Sequence, residues 1–390
     1  PPFFPPPPPP PAIASRLVGS EMCIRDRLET IVSAFRIWNT LGISFRMDID
    51  VVIPSYNFNK ELIDRIEKIQ IPKEVIVKYF IVIDNPALKL PECEIERITL
   101  IKNDENKGAH ISRNVGIEAG KGEWILFLDD DIEPEPDLIM KYHDVIKEND
   151  ALGYIGKTSF PNPCNRFTQA VMDSDILTFF PLAETRPSMW WGVTANMMIN
   201  RKAMGDIRFD KRFPKAGGGE DIDLCLRICK RTDKEFLTAP EAMVSHGWWN
   251  RGKFGLKRFG RWAYGDSRLT ILHPELRYYN FPNVAEGMLL GFLGSILAYY
   301  LGHAELWFSL MIPCAILLAD VFGEFIKLGL TKRWSLLNAA LVVAIRGIND
   351  TGRLLGNLRR GRIHGILERF DYFCTGESIK YERKVASLKL

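Results

Sequence analysis

The sequence predicts an α/β protein whose central sheet is mostly parallel and carries helices on both faces. Two observations lead there. From Asp48 onward, short apolar runs alternate with helix-length amphipathic stretches, and strands joined through helices of that length cross over and return parallel. Polar clusters also follow directly on three of the apolar runs, where sheets of this class bind ligands beyond the carboxyl ends of their strands.

The composition suits a packed chain: of 390 residues, 46% are hydrophobic and 25% charged. A net charge of +3 is too small for a nucleic-acid binder, so no nucleic-acid partner is expected. Residues 1–27 are set aside. Residues 1–11 are almost pure proline, which builds no core. Residues 15–27 look like a translated sequencing adapter and lack the features of a secretory signal. Residues 28–47 read as an amphipathic lead-in. Strands are expected over 49–53, 75–83, 98–101, 124–128 and 154–155, with helices over 59–69, 109–119 and 137–148. Further on come a strand over 192–200, a flexible Gly217-Gly218-Gly219 loop, a helix over 220–231 and extended chain over 235–244. Cys93, Cys164, Cys225, Cys229, Cys314 and Cys374 have no paired metal-ligand spacing and read as thiols in a reducing compartment. At Phe281 the composition turns apolar. The expected organisation is therefore a catalytic domain over 48–280, an apolar helical region over 281–350 and a basic tail over 351–390.

The chemistry sits after the strands. Pro54-Ser55-Tyr56-Asn57 follows the first, Asp84-Asn85 the second and Asp129-Asp130-Asp131 the fourth. Any one alone is an ordinary turn; three on one rim suggest a site. Asp129 and Asp131 are alternate residues, so extended backbone turns both to one side. Adjacent carboxylates repel unless a cation intervenes, and hard oxygen ligands suit Mg²⁺ or Mn²⁺. Taken alone, the triplet is equally a solvated acidic turn. Glu220-Asp221 follows the three glycines, which leave room for a bulky acceptor. A carboxylate there is placed to take a proton from an attacking hydroxyl, or simply to complement a helix N-terminus.

Asp50-Val-Val-Ile-Pro-Ser-Tyr-Asn57, Asn106-Lys-Gly108, Arg113-Asn114-Val-Gly116, Gly122-Glu-Trp-Ile-Leu-Phe-Leu-Asp-Asp-Asp131 and Gly219-Glu-Asp-Ile-Asp-Leu-Cys-Leu-Arg227 stand in that order. Over residues 48–250 this series resembles the family 2 glycosyltransferases of the GT-A (nucleotide-diphospho-sugar transferase) fold. The resemblance implies inverting, divalent-metal-dependent transfer from a nucleotide-sugar donor to an acceptor hydroxyl of a glycan, lipid-linked or polysaccharide precursor. It implies that Pro54, Ser55 and Tyr56 flank the base and ribose, that Asp84 hydrogen-bonds the base, and that Arg113 lies near the diphosphate. Asn85-Pro86 stands where the family usually has a second acid. Asp129 would contact the nucleoside beside the metal, Asp131 would ligate the metal, Asp221 would be the base, and Glu220 would position the acceptor. His246 reads as a further metal ligand or as a hydrogen-bonded strand-end histidine. Trp191 and Trp248, each in a tryptophan pair, offer faces for sugar rings or for core packing. Arg258-Phe-Gly-Arg261-Trp262 is similar to the Gln-x-x-Arg-Trp signature of processive synthases, with arginine replacing glutamine. It makes Arg261 and Trp262 acceptor-side candidates. The rivals are a nucleotidyltransferase, whose usual glycine-rich phosphate loop is absent near the first strand, and a non-catalytic sugar-binding scaffold, against which the intact acids argue.

Residues 287–301 and 306–323 are apolar, slightly short of the about 20 residues a span needs, and Asp320 lies within the second. Arg268, Arg277, Lys327, Lys332 and Arg333 lie outside both runs and no Lys or Arg lies between them, which predicts membrane association with the catalytic domain facing the cytosol. Residues 336–345 are expected in the membrane plane or on the catalytic domain, with Arg353, Arg359, Arg360 and Arg362 toward anionic headgroups.

Overall fold

A computed structural model describes residues 46–90, 95–280, 282–303, 305, 307–331 and 334–374. Residues 1–27, the lead-in through residue 45, Cys93, Lys332, Arg333 and the end of the basic tail lie outside the described residues.

In chain order the elements are β1 (Met47–Ser55), α1 (Lys60–Glu67), β2 (Val75–Ile83), β3 (Ile98–Lys102), α2 (Ala109–Ala119), β4 (Trp124–Leu128), β5 (Ile132–Pro134) and α3 (Leu138–Glu148). Then follow β6 (Gly153–Ser159), α4 (Arg166–Asp173), β7 (Ser188–Met189), β8 (Asn196–Asn200), α5 (Arg201–Met204), α6 (Glu220–Thr232), β9 (Phe236–His246), α7 (Lys257–Asp266) and α8 (Leu269–Leu272). The chain continues through β10 (Arg277–Tyr279), α9 (Val284–Tyr300), α10 (Phe308–Leu330), α11 (Leu336–Arg359) and β11 (Glu368–Phe370).

A nine-stranded sheet runs β3-β2-β1-β4-β8-β6-β9-β5, with β7 added beside β9. β3, β2, β1 and β4 are mutually parallel, β8 is antiparallel to β4 and β6, and β9 is parallel to β6. This is a mixed, mostly parallel α/β sheet, the class that the sequence predicts. The carboxyl ends of β1, β2, β4, β6 and β9 therefore share one rim with the start of β8. β1 and β2 are buried along almost their whole length, as continuous apolar strands covered on both faces must be. On β4, Trp124, Leu126 and Leu128 feed one core with Leu62, Ile66 and Tyr142, while Ile125 and Phe127 feed the other with Ile117, Ile222 and Ile228. Helices thus cover both faces, as the alternation of strand and helix predicted.

Two expectations change. The strand expected over 192–200 begins only at Asn196. The preceding residues turn past β6, where a Cβ on Gly192 would meet Ile155 at 2.7 Å. The helix expected over 336–345 runs on to Arg359. Its second half meets α7 through glycine rather than apolar bulk: a Cβ on Gly352 would lie 2.0 Å from the Gly260 carbonyl, and one on Gly356 2.1 Å from Ser267 Oγ. A hydrophobic pattern does not register such a contact, because the packing element is backbone.

The two apolar runs form the helices α9 and α10, which pack on one another and on α11. Among the described residues no helix is long and apolar enough to cross a membrane. α9 has 17 residues, about 26 Å against a hydrocarbon core of about 30 Å. α10 carries Asp320, Glu324 and Lys327, and Glu324 is tied to Arg346 of α11 at 2.6 Å.

Candidate active site

A cavity of about 600 Å³ opens at the shared rim. The end of β1 supplies Pro54, Ser55 and Tyr56, with Tyr56 half exposed at the mouth. Asp84, just past β2, also lines it, but its carboxylate is largely engaged. It accepts the Asn103 side-chain amide at 2.8 Å and the backbone N–H groups of Lys107 and Gly108 at 2.8 and 2.7 Å. These bonds hold the loop that enters α2. Gly108, at φ 89°, closes that turn with Lys215 backbone so near that a Cβ would meet it at 2.7 Å.

Arg113 on α2 is buried and donates to Asp129 Oδ1 at 2.6 Å, with Glu220 3.9 Å away. Asp130 turns toward β1, where it accepts from Ser55 Oγ at 2.6 Å. Burial, aided by the flanking Asp131 and Asp129 charges, pushes its carboxyl up to about 6 despite that bond. Beyond Asp131 the chain enters β5, which pairs Ile132 with His246 of β9. That register brings Asp131 Oδ1 to 3.3 Å from His246 Nε2.

Asp129, Asp131 and His246 offer three ligand atoms within 4.8 Å of one another. His246 Nδ1 faces the Gly247 carbonyl at 2.8 Å. With the ring proton there, the Nε2 lone pair accepts the Trp249 indole N–H at 3.2 Å and lies within 4.8 Å of the ligand oxygens of both carboxylates. Burial tends to lower the His246 pKa, but Asp131 and the Gly247 carbonyl outweigh it, so the imidazole sits above its ordinary value. Burial likewise acts upward on Asp131, and His246 and Arg258 outweigh it, holding the carboxyl below the usual range. Two carboxylates and one imidazole converging in this way fit a divalent cation.

The second acidic pair begins α6. Asp221 Oδ1 accepts the Ile222 N–H at 2.9 Å. Glu220 Oε2 has no hydrogen-bond partner. Burial, reinforced by the Asp221 charge, pushes the Glu220 carboxyl up to about 8, and Arg113 offsets this only in part. Burial raises Asp221 as well. The three glycines line the cavity, and they also permit contact with α7. Gly219 is left-handed at φ 87°, and a Cβ on Gly265 would lie 2.2 Å from the Gly218 carbonyl.

Trp191 and Trp262 line the cavity, as the sequence suggested. Trp248 and Arg261 do not. Trp248 tilts over Phe160 and donates to the Asn162 carbonyl at 3.2 Å, and Arg261 is exposed on the outer side of α7. Their neighbours take those places: Trp249 and Arg258 line the cavity, with the Arg258 guanidinium 4.7 Å from the Trp249 ring centroid. The helical period explains the exchange, since Arg258, Trp262 and Asp266 recur every fourth residue on one face. Sequence reasoning also missed Asp266, Asn349 and Tyr372. Asp266 was findable one turn beyond Trp262, whereas Asn349 lies in the expected apolar helical region and Tyr372 in the expected basic tail.

Among known proteins, the family described as Glycosyl transferase family 2 matches residues 50–208. An uncharacterized glycosyltransferase of Haemophilus influenzae is 32% identical over 117 residues, covering 27% of this chain and 37% of that protein. A glucosyl-dolichyl phosphate glucuronosyltransferase of Haloferax volcanii is 26% identical over 208 residues, covering 47% of this chain and 62% of the other. The chain thus spans less than two thirds of the length of either relative. The solved structure of residues 1–349 of S. aureus TarS in complex with UDP is 14% identical, with 81% of this chain and 92% of that chain covered, at a TM-score of 0.38.

Proposed function

We propose that the family 2 glycosyltransferase domain at residues 50–208, completed by α6, α7 and the C-terminal elements, moves a sugar from a nucleotide-diphosphate donor onto an acceptor hydroxyl with inversion. One observation carries this reading. The Asp129–Asp131–His246 ligand set and the Glu220–Asp221 pair line a single cavity. Donor activation and acceptor deprotonation can therefore act on one bound sugar.

In this reading Tyr56 gives its ring to the base, with Pro54 and Ser55 alongside, and Asp84 backs the base while fixing the loop before α2. Asp129, Asp131 and His246 would hold Mn²⁺ or Mg²⁺, with the imidazole favouring Mn²⁺; when bound, the ion stabilises negative charge on the departing diphosphate. Arg113 fixes the Asp129 carboxylate, and Arg258, stacked on Trp249, adds positive charge beside Asp131. Asp221 takes the hydroxyl proton as the acceptor oxygen bonds to the anomeric carbon and the bond to the diphosphate breaks, releasing a nucleoside diphosphate. Glu220 holds the acceptor beside it. Attack from the face opposite the leaving group inverts the anomeric carbon.

The test is a panel of nucleotide-sugars assayed for metal-dependent binding and slow hydrolysis. Nucleoside diphosphate as product, with an inverted sugar, supports the reading. Pyrophosphate released from a nucleoside triphosphate would make the chain a nucleotidyltransferase, and binding without turnover would make it a scaffold.

Attachment to a membrane fits the outer faces of α9 and α10, where Leu293, Leu297, Tyr300, Leu318 and Phe322 are more than half exposed. An in-plane hairpin of this kind would lie at the headgroup boundary and keep the cavity near lipid-linked or membrane-bound glycan acceptors.

A further inference from the structure

We infer that Asp266 and Tyr372 form an acceptor subsite built for an uncharged, polyhydroxylic sugar, and not for an anionic acceptor such as a lipid phosphate. The inference rests on the proposed transfer reaction and names the acceptor class of the same cavity.

Asp266 ends α7 and Tyr372 follows β11, which pairs with β10. The Tyr372 hydroxyl donates to Asp266 Oδ2 at 3.0 Å. Trp191 Nε1 donates to the Tyr372 carbonyl at 2.6 Å, and Phe179 packs against both rings, at 4.9 Å from Trp191 and 5.4 Å from Tyr372. The segment is therefore fastened at both its backbone and its hydroxyl. Among the described residues Asp266 Oδ1 accepts no hydrogen bond, and it lies against the glycine loop that delivers Glu220 and Asp221, 2.7 Å from where a Gly218 Cβ would stand. Trp262, one turn earlier on the same helix face, adds a ring edge-on to Trp249 at 5.2 Å.

The charges select the ligand. Glu220, Asp221 and Asp266 line this end of the cavity. The cationic side chains lining it, apart from His246, are Arg113 and Arg258. Arg113 is engaged by Asp129 and Glu220, and Arg258 lies at the far end beside Asp131 over Trp249. A phosphate entering here would add negative charge beside acids that already resist ionising together, since burial and the Asp221 charge push Glu220 up to about 8 and Asp266 up to about 7, and Arg113 and Arg258 are the guanidinium groups that line the cavity to offset it. A sugar brings hydroxyl donors that a free carboxylate oxygen accepts, and apolar C–H faces that aromatic rings cover.

The experiment uses the full chain, a donor that it hydrolyses, and two acceptor sets: p-nitrophenyl glycosides of neutral hexoses, and farnesyl phosphate. Transfer to a glycoside, with little or none to farnesyl phosphate, is the expected result. Asp266→Asn and Tyr372→Phe should then raise the acceptor KM at least tenfold and lower the ratio of transfer to hydrolysis by a similar factor. Preferred transfer to farnesyl phosphate overturns the inference, as does transfer to neither set while the donor is hydrolysed. An unchanged acceptor KM in both variants also overturns it. Should Asp266→Asn fail to fold, Tyr372→Phe and the two acceptor sets decide the matter. If no donor is bound or hydrolysed, it is the transferase reading itself that fails.

Discussion

The Arg113 guanidinium lies 2.6 Å from Asp129 and reaches within 3.9 Å of Glu220, so one buried cation serves both ends of the cavity. Arg113→Ala leaves the Asp129 carboxylate unpaired. Breaking a fully buried pair costs about 3–5 kcal/mol; with Asp129 29% exposed, the expected loss is about 2 kcal/mol. Denaturant unfolding measures it, and donor titration should show weaker binding. Arg113→Lys, which keeps charge but not the fork, should fall between the two.

Asp131→Asn and His246→Ala should each abolish metal-dependent donor binding in a folded protein. Calorimetric titration with Mn²⁺ alone reads the same site without turnover. Retained Mn²⁺ affinity in both variants would remove these residues as ligands.

For the base, Asp221→Asn keeps shape but loses basicity, so turnover should drop by about 10²–10⁴-fold while donor affinity holds. Glu220→Gln should be milder. Glu220 also carries a pH signature: its carboxyl stands at about 8 in the folded chain against an ordinary 4.5. Folded protein then binds the proton more tightly than unfolded, so this stability is full at acid pH and is lost as pH rises through 4.5 toward 8. Glu220→Gln should therefore match the parent in thermal stability near pH 4.5, exceed it at pH 8, and flatten the decline between them.

Gly352→Ala places a methyl group where the Gly260 carbonyl would stand 2.0 Å away. Forcing α11 off α7 should cost about 1–3 kcal/mol and lower turnover as well, because α11 carries Asn349 into the cavity wall. Chemical denaturation and activity should fall together.

Leu297→Glu with Phe322→Glu puts charge on the exposed faces of α9 and α10. Binding to phosphatidylglycerol-containing vesicles in a flotation assay should fall at least tenfold, with hydrolysis of soluble donor retained. Equal flotation of parent and variant would assign these faces another role.

Much of this was legible because it is local. The strands at 75–83 and 124–128 and the helix at 109–119 fall where the apolar periodicity puts them. The acids at Asp129, Asp131, Glu220 and Asp221 stand at strand and helix ends, where short sequence words carry meaning. The rest depends on contacts that no word encodes. Trp249 and not Trp248 reaches the cavity, because Trp248 is taken up by Phe160 and the Asn162 carbonyl. Asp84 looks like a ligand contact in sequence, yet its oxygens are taken up by a loop some twenty residues on. α11 runs past the apolar stretch at 336–345 because its second half packs through Gly352 and Gly356, residues that leave no hydrophobic trace.

The bond from Trp191 to the Tyr372 carbonyl joins positions 181 residues apart. On a translating ribosome adding about 5–20 residues per second, Trp191 emerges on the order of ten to thirty seconds before its acceptor atom exists. In that interval the sheet, the acids and the cation ligands can assemble while one wall of the chamber is missing. A nascent chain could thus capture a donor yet lack the surface that aligns a receiving sugar, so competence arrives late in synthesis and abruptly. Ribosome-stalled chains halted before and after Tyr372 has cleared the exit tunnel should differ in transfer far more than in nucleotide binding.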